Sequence, residues 1–189
     1  MSAPVPFKID IPQRTLDVIA TKVAAYEWHE MPEIAEGGNR WAYGTDMVYM
    51  RELCDYWLKS YDWRKAEAAL NRFPQFKVTV DDQEIHFIHV KGSGSNPEPV
   101  LMTHGWPGSV FEFFDVIEQL AHPEKFGGNA EDGMTLVLPS LPGYAFSGKP
   151  KTPIGPKGTA ALWDKLMRDV LGYKTYIAQG GDWGSVVTS

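Results

Sequence analysis

Tyr176-Ile177-Ala178-Gln179-Gly180-Gly181-Asp182-Trp183-Gly184-Ser185 decides the fold of this chain. Tyr176 to Ala178 reads as a short apolar strand. The glycines after it permit a sharp, strained turn into a helix, which leaves the side chain at the centre of the turn exposed. The central residue is Asp182, so the group presented there is a carboxylate. A positioned carboxylate can act as a nucleophile toward an sp3 carbon and form an ester. The competing reading is a glycine-rich loop in which Asp182 caps the next helix.

A second stretch, His104-Gly105-Trp106-Pro107-Gly108-Ser109, follows the apolar run Val100-Leu101-Met102-Thr103. By itself it also fits a turn before a helix capped by Ser109. The two stretches together are more specific, because each directly follows a strand pattern and one further strand lies between them. In the α/β-hydrolase arrangement, the first loop supplies one backbone N–H of an oxyanion hole. The residue after the nucleophile supplies the other. That assigns the donors to the amides of Trp106 and Trp183. Their indoles are candidate walls of a substrate pocket. Support for the two loops falls to His104, Gly105 and Pro107 on one side and Gly180, Gly181 and Gly184 on the other.

Working outward, residues 76–80 and 85–90 alternate as strands do, and Asp81-Asp82-Gln83-Glu84 is the expected hairpin turn. The runs at 100–103, 135–138 and 175–178 are separated by helix-forming segments at 110–120 and 159–171. Short buried strands alternating with helices predict a parallel sheet with crossovers. Before residue 75 the pattern is helical. Leu16, Ile19, Ala20, Val23 and Tyr26 recur at helical spacing after Pro12. Thr45 or Asp46 can cap a second helix with Met47, Met50, Leu53, Cys54, Trp57 and Leu58 on its inner face, and a third spans 63–71. The expected organisation is a helical meander over 1–75, followed over 76–189 by the first half of an α/β core ending just after the turn at Asp182.

Composition narrows the function classes. The 189 residues are 43% hydrophobic and 22% charged, as expected for a globular protein, and the formal net charge is -6. That balance disfavours nucleic acid or an acidic membrane face as a partner, since either favours a basic patch. No window approaches the roughly 18 apolar residues of a membrane-spanning helix. The one cysteine, Cys54, cannot form an internal disulfide. The expectation is a cytoplasmic protein without a membrane anchor, oligomeric or not. No metal-ligand spacing is evident. His86-x-x-His89 on a strand puts the rings on opposite faces, and those two are expected to be structural or solvent-facing. His29, His86, His89, His104 and His122 all precede Asp182, whereas the catalytic histidine of this fold follows the nucleophile. Gly92-Ser93-Gly94-Ser95 reads as a flexible loop, not a phosphate cradle.

These strings resemble the microsomal-type epoxide hydrolase family along essentially the whole chain. They include Trp41-Ala42-Tyr43-Gly44-Thr45, Phe73-Pro74-Gln75-Phe76, Ile85-His86-Phe87-Ile88-His89, His104 to Ser109, Leu141-Pro142-Gly143-Tyr144 and Gly180 to Ser185. Ala145 departs from the pattern, where glycine is common, and its methyl group is expected to matter little. The resemblance implies an epoxide hydrolase of the detoxification kind. It would convert a small hydrophobic epoxide and water to a vicinal diol through an ester of Asp182, with no cofactor and no metal.

It further implies a lid with two tyrosines, an acidic residue and a catalytic histidine, all beyond Ser189. Residues 1–189 alone are therefore expected to be one inactive segment of a longer enzyme. Two other readings stay open. One is a haloalkane dehalogenase-like hydrolase using the same aspartate. The other is a catalytically incomplete chain serving as an assembly or binding module.

Overall fold

In the computed structural model, residues 3–189 are described. They comprise a six-stranded sheet with flanking helices and a separate group of helices. Ala69–Ser189 together with the N-terminal strand forms one compact unit, and Ile9–Ala68 forms the other. The chain's first strand thus joins the sheet rather than the helical group.

That strand, β1 (Val5–Phe7), pairs antiparallel with β2 (Gln75–Val80), which pairs antiparallel with β3 (Gln83–Val90). Three residues including a proline leave no alternation to detect, so β1 is invisible in the sequence alone. The β2–β3 turn is tighter than expected. Only Asp81 and Asp82 lie in it, with φ of 48° and 64°. Two consecutive left-handed residues match the right-handed twist of a hairpin, and aspartate tolerates that conformation better than most residues.

Next come β4 (Pro99–Thr103) and β5 (Thr135–Pro139), which pair parallel, and β6 (Ile177–Gly180), parallel to β4. The strand order is β1-β2-β3-β5-β4-β6. Alternate residues of the central strands feed two cores, one on each face. Ile88, Val100, Met102, Leu136 and Leu138 pack with Phe113 and Ile117 on one side. Phe87, Leu101 and Val137 pack with Leu162, Trp163, Leu166 and Met167 on the other. Burying each large side chain contributes about 1.5–3 kcal/mol. β6 is an edge of the sheet. Among the described residues it pairs with β4 alone, and Ile177 is 48% exposed.

The segment expected as one helix at 110–120 breaks into a 3-10 turn, Val110–Phe113, and a short helix, Ile117–Ala121. Ser109 caps the first, accepting from the Phe111 amide at 3.2 Å. The crossover before β6 is helical over Pro156–Lys165 and continues as a π-helical turn, Leu166–Val170.

In the other unit, helices occupy Gln13–Ala24 and Met47–Lys59, and a third, Trp63–Leu70, begins there. Asp46 caps the second, accepting from the Tyr49 amide at 2.8 Å, as one of the two expected caps. Its expected inner face is not buried. Leu53, Trp57 and Leu58 are 42%, 46% and 39% exposed. Among the described residues no helix is long and apolar enough to cross a membrane.

Candidate active site

The β4–β6 register places Thr103 opposite Gly180. Both strands run the same way, so the loops leaving their carboxyl ends emerge side by side. The loop after β4 carries His104 to Ser109, and the turn after β6 carries Asp182. This pairing brings together residues that are remote in sequence.

Asp182 has φ 52° and ψ -125°, a conformation that side-chain-bearing residues rarely adopt. Its neighbours must be small. A Cβ added at Gly180 would lie 2.2 Å from the Gly184 carbonyl oxygen, and one at Gly184 would lie 2.0 Å from that of Thr103. At Gly105 it would come within 2.5 Å of both Cβ and Oδ1 of Asp182. Gly181 is different, because nothing lies within 4 Å of a Cβ added there. Sterically, the tight turn requires Gly180 and Gly184 and leaves Gly181 free.

The Asp182 carboxylate makes no cap bond to the helix it precedes, Trp183–Thr188, so the capping alternative does not describe it. Instead, the Trp106 amide donates to its Oδ1 at 2.8 Å. That hydrogen bond, with a further pull from the Trp183 amide, holds the carboxyl below the usual carboxylate range. Asp182 is therefore a solvent-exposed anion with Oδ1 engaged by the Trp106 amide.

His104 is fully buried beneath this loop. The Leu141 amide donates to its Nε2 at 3.0 Å, so that nitrogen carries no proton. Nδ1–H then donates to the Gly105 carbonyl at 3.0 Å. Burial lowers its pKa, which favours the neutral ring. With both nitrogens engaged, His104 has none free to activate water. The Trp106–Pro107 peptide bond is cis.

The indoles diverge. Trp183, half exposed, lines a cavity of about 290 Å³ with Leu141, Pro142, Tyr144, Ile154 and Pro156. Trp106 is 65% exposed and is not among the lining residues. Tyr144 adjoins the site through its ring, 5.5 Å from that of His104. Its string was visible in the sequence, but its place beside Trp183 was not. Larger grooves of about 870 and 630 Å³ belong to the helical unit and contain none of these residues.

One expectation is decided by the structure and another needs correction. Of the two alternatives for His86, structural or solvent-facing, the first holds. The residue is fully buried, with Nε2 at 2.9 Å from Gln75 Oε1 and Nδ1 at 2.9 Å from Ser140 Oγ. The loop at 92–95 is anchored rather than loose. The Ser93 amide donates to the Ala121 carbonyl at 2.8 Å, and Ser95 donates its amide and hydroxyl to Glu131.

Comparison with known proteins finds two overlapping family matches along the chain. Residues 4–113 match the family described as "Epoxide hydrolase N terminus", and residues 98–189 match the alpha/beta hydrolase fold. Epoxide hydrolase 1 of Oryctolagus cuniculus is 40% identical over 154 residues, covering 79% of this chain and 34% of that protein. Juvenile hormone epoxide hydrolase 1 of Ctenocephalides felis is 38% identical over 188 residues, covering 97% of this chain and 39% of the relative. The structure of Aspergillus niger epoxide hydrolase superposes with a TM-score of 0.85 at 34% identity, covering 99% of this chain and 48% of that one. The chain thus spans less than half the length of these relatives. On these matches, the chain belongs to the microsomal-type epoxide hydrolase family.

Proposed function

We propose that this chain supplies the nucleophile and oxyanion hole of an enzyme that hydrolyses small hydrophobic epoxides to vicinal diols. The observation that carries the reading is the 2.8 Å hydrogen bond from the Trp106 amide to Asp182 Oδ1. It divides the labour between the two carboxylate oxygens. Oδ1 is held, and Oδ2 is left to attack.

In the first step Oδ2 attacks a ring carbon, the C–O bond of the epoxide breaks, and the released oxygen takes a proton. Oδ1 then becomes the carbonyl oxygen of the ester. It already sits against the Trp106 amide, with the Trp183 amide next along the chain. In the second step water adds to the ester carbonyl, and the charge developing on Oδ1 is met by those fixed donors. Collapse of this intermediate returns the carboxylate and releases the diol. The donors do little for attack on the epoxide carbon, so their contribution belongs to the second step. Gly105, Pro107, Gly180 and Gly184 shape the two loops, and His104 secures the first of them. Trp183 forms an apolar wall for the substrate.

A dehalogenase would use the same aspartate, and a non-catalytic module would use neither loop. Assay of the full-length protein with styrene oxide and with 1-chlorobutane separates these readings. Diol formation that Asp182→Asn abolishes is expected. Halide release faster than diol formation would establish the dehalogenase, and no turnover of either compound would leave the module.

A further inference from the structure

The hydrogen bond at Asp182 is the last link of a chain that begins on β2 and β3, on the far side of β5. Two peptide planes in it are held from both ends. The Gly105–Trp106 plane receives His104 Nδ1–H on its carbonyl and points its N–H at Asp182. The Ser140–Leu141 plane receives the Ser147 hydroxyl on its carbonyl at 2.7 Å and points its N–H at His104 Nε2.

His86 holds both serines. Its amide donates to Ser147 Oγ at 3.0 Å, and its carbonyl accepts from the Ser140 amide at 2.8 Å. Its ring Nδ1 faces Ser140 Oγ, while Nε2 faces Gln75 Oε1. Gln75 is oriented in turn, because its Nε2 donates to the Leu70 carbonyl at 2.8 Å. Gln75 Oε1 must therefore accept from His86 Nε2–H, which leaves His86 Nδ1 to accept from the Ser140 hydroxyl. Every donor in the chain is thereby assigned, and none can reverse without breaking a neighbour. Phe7 and Phe146 pack edge-on against the His86 ring, with centroids 5.2 and 5.3 Å away.

We infer that His86 and Ser147 are positioning residues for the oxyanion donor Trp106, acting through the Ser140–Leu141 peptide and His104. The inference rests on the reading of Asp182 as nucleophile. Loss of the Ser147 hydroxyl frees the Ser140 carbonyl to turn, which weakens the Leu141 bond to His104. The Gly105–Trp106 plane then loses its aim. Ester hydrolysis should suffer and ester formation should not, because the donor acts on the second step.

The test uses the full-length protein with Ser147→Ala, and Ser147→Thr as the variant that keeps the hydroxyl. Styrene oxide is the probe, and rapid quench with intact mass follows the alkyl-enzyme. In Ser147→Ala, ester hydrolysis is expected to slow about tenfold, less than the roughly 10²–10³ of losing a donor outright. Formation should stay within about threefold, so the ester accumulates, and Ser147→Thr should recover most of the rate. A fall in both steps matching a fall in folded fraction would overturn the inference, as would no change in either.

Nitrogen-15 NMR of His104 gives a readout independent of turnover. The wild type should show a single Nδ1–H tautomer, and Ser147→Ala a mixture. An unchanged His104 signal overturns the relay even if activity falls. Absence of diol and ester in the wild type overturns the reading of Asp182, while the NMR comparison still decides the relay.

Discussion

The amide of Trp106 and the carboxylate of Asp182 meet at 2.8 Å across 76 positions of sequence. The contact depends on parallel pairing of β4 and β6, on a left-handed backbone at Asp182, and on the absence of a side chain at Gly105. Each of these conditions can be broken separately.

Gly105→Ala places a methyl group where Asp182 Cβ and Oδ1 now lie. The carboxylate must move and lose its donor, so kcat should fall by about 10²–10³. Gly181→Ala meets nothing, and steady-state kinetics should place it within about threefold of the wild type. Equal losses in the two variants would contradict the steric account of the turn.

Gly184→Ala probes packing rather than chemistry. Its methyl group would press on the Thr103 carbonyl, which belongs to a strand that cannot retreat without breaking the sheet. Overpacking of this kind costs about 1–3 kcal/mol or more. Urea unfolding should show a lower midpoint with little change in slope.

Ala145 lies at φ 42°, in the left-handed region. The sequence suggested that alanine in place of glycine matters little, but the backbone indicates a cost. Ala145→Gly should stabilise the protein by about 1 kcal/mol, since glycine adopts this conformation without a Cβ penalty. Differential scanning calorimetry should register a higher Tm. An unchanged or lower Tm would show that the turn carries no strain there.

His86 makes stability depend on pH in a defined direction. Burial, with a smaller effect of Lys77, lowers its pKa from 6.5 to about 3. The folded state therefore binds fewer protons than the unfolded state between these values, so stability is full above about pH 6.5 and is lost as pH falls toward 3. The loss approaches about 1.4 kcal/mol per pH unit. Burial lowers His89 and His104 as well and adds to the same trend. Denaturant unfolding at pH 7 and pH 5 should differ by about 2 kcal/mol from His86, and His86→Gln should flatten that difference. A slope that survives the substitution would place its origin elsewhere.

The sequence and the structure agree best where one strand and one turn suffice. The runs before His104 and Gly180 announce their strands, and the small residues around Asp182 announce the turn. Less was legible where pairing decides. β1 is three residues long and exists through its register with β2. For His86 the sequence left structural and solvent-facing roles open, because its partners Gln75, Ser140 and Ser147 are distant in sequence and meet only in the folded sheet. Gly181 could not be told from Gly180 by residue type, since only the approach of Gly184 separates them. The methyl group of Ala145 looked harmless because φ is not written in a residue name.

The central claim is that Asp182 becomes an ester during turnover. A single turnover of the full-length protein with styrene oxide in water enriched in oxygen-18 tests it directly. If the ester forms, the first diol is unlabelled, its new oxygen drawn from Asp182, and one labelled oxygen appears in the Asp182 carboxylate of the recovered peptide. Label entering the diol in that first turnover, with none in Asp182, would contradict the claim.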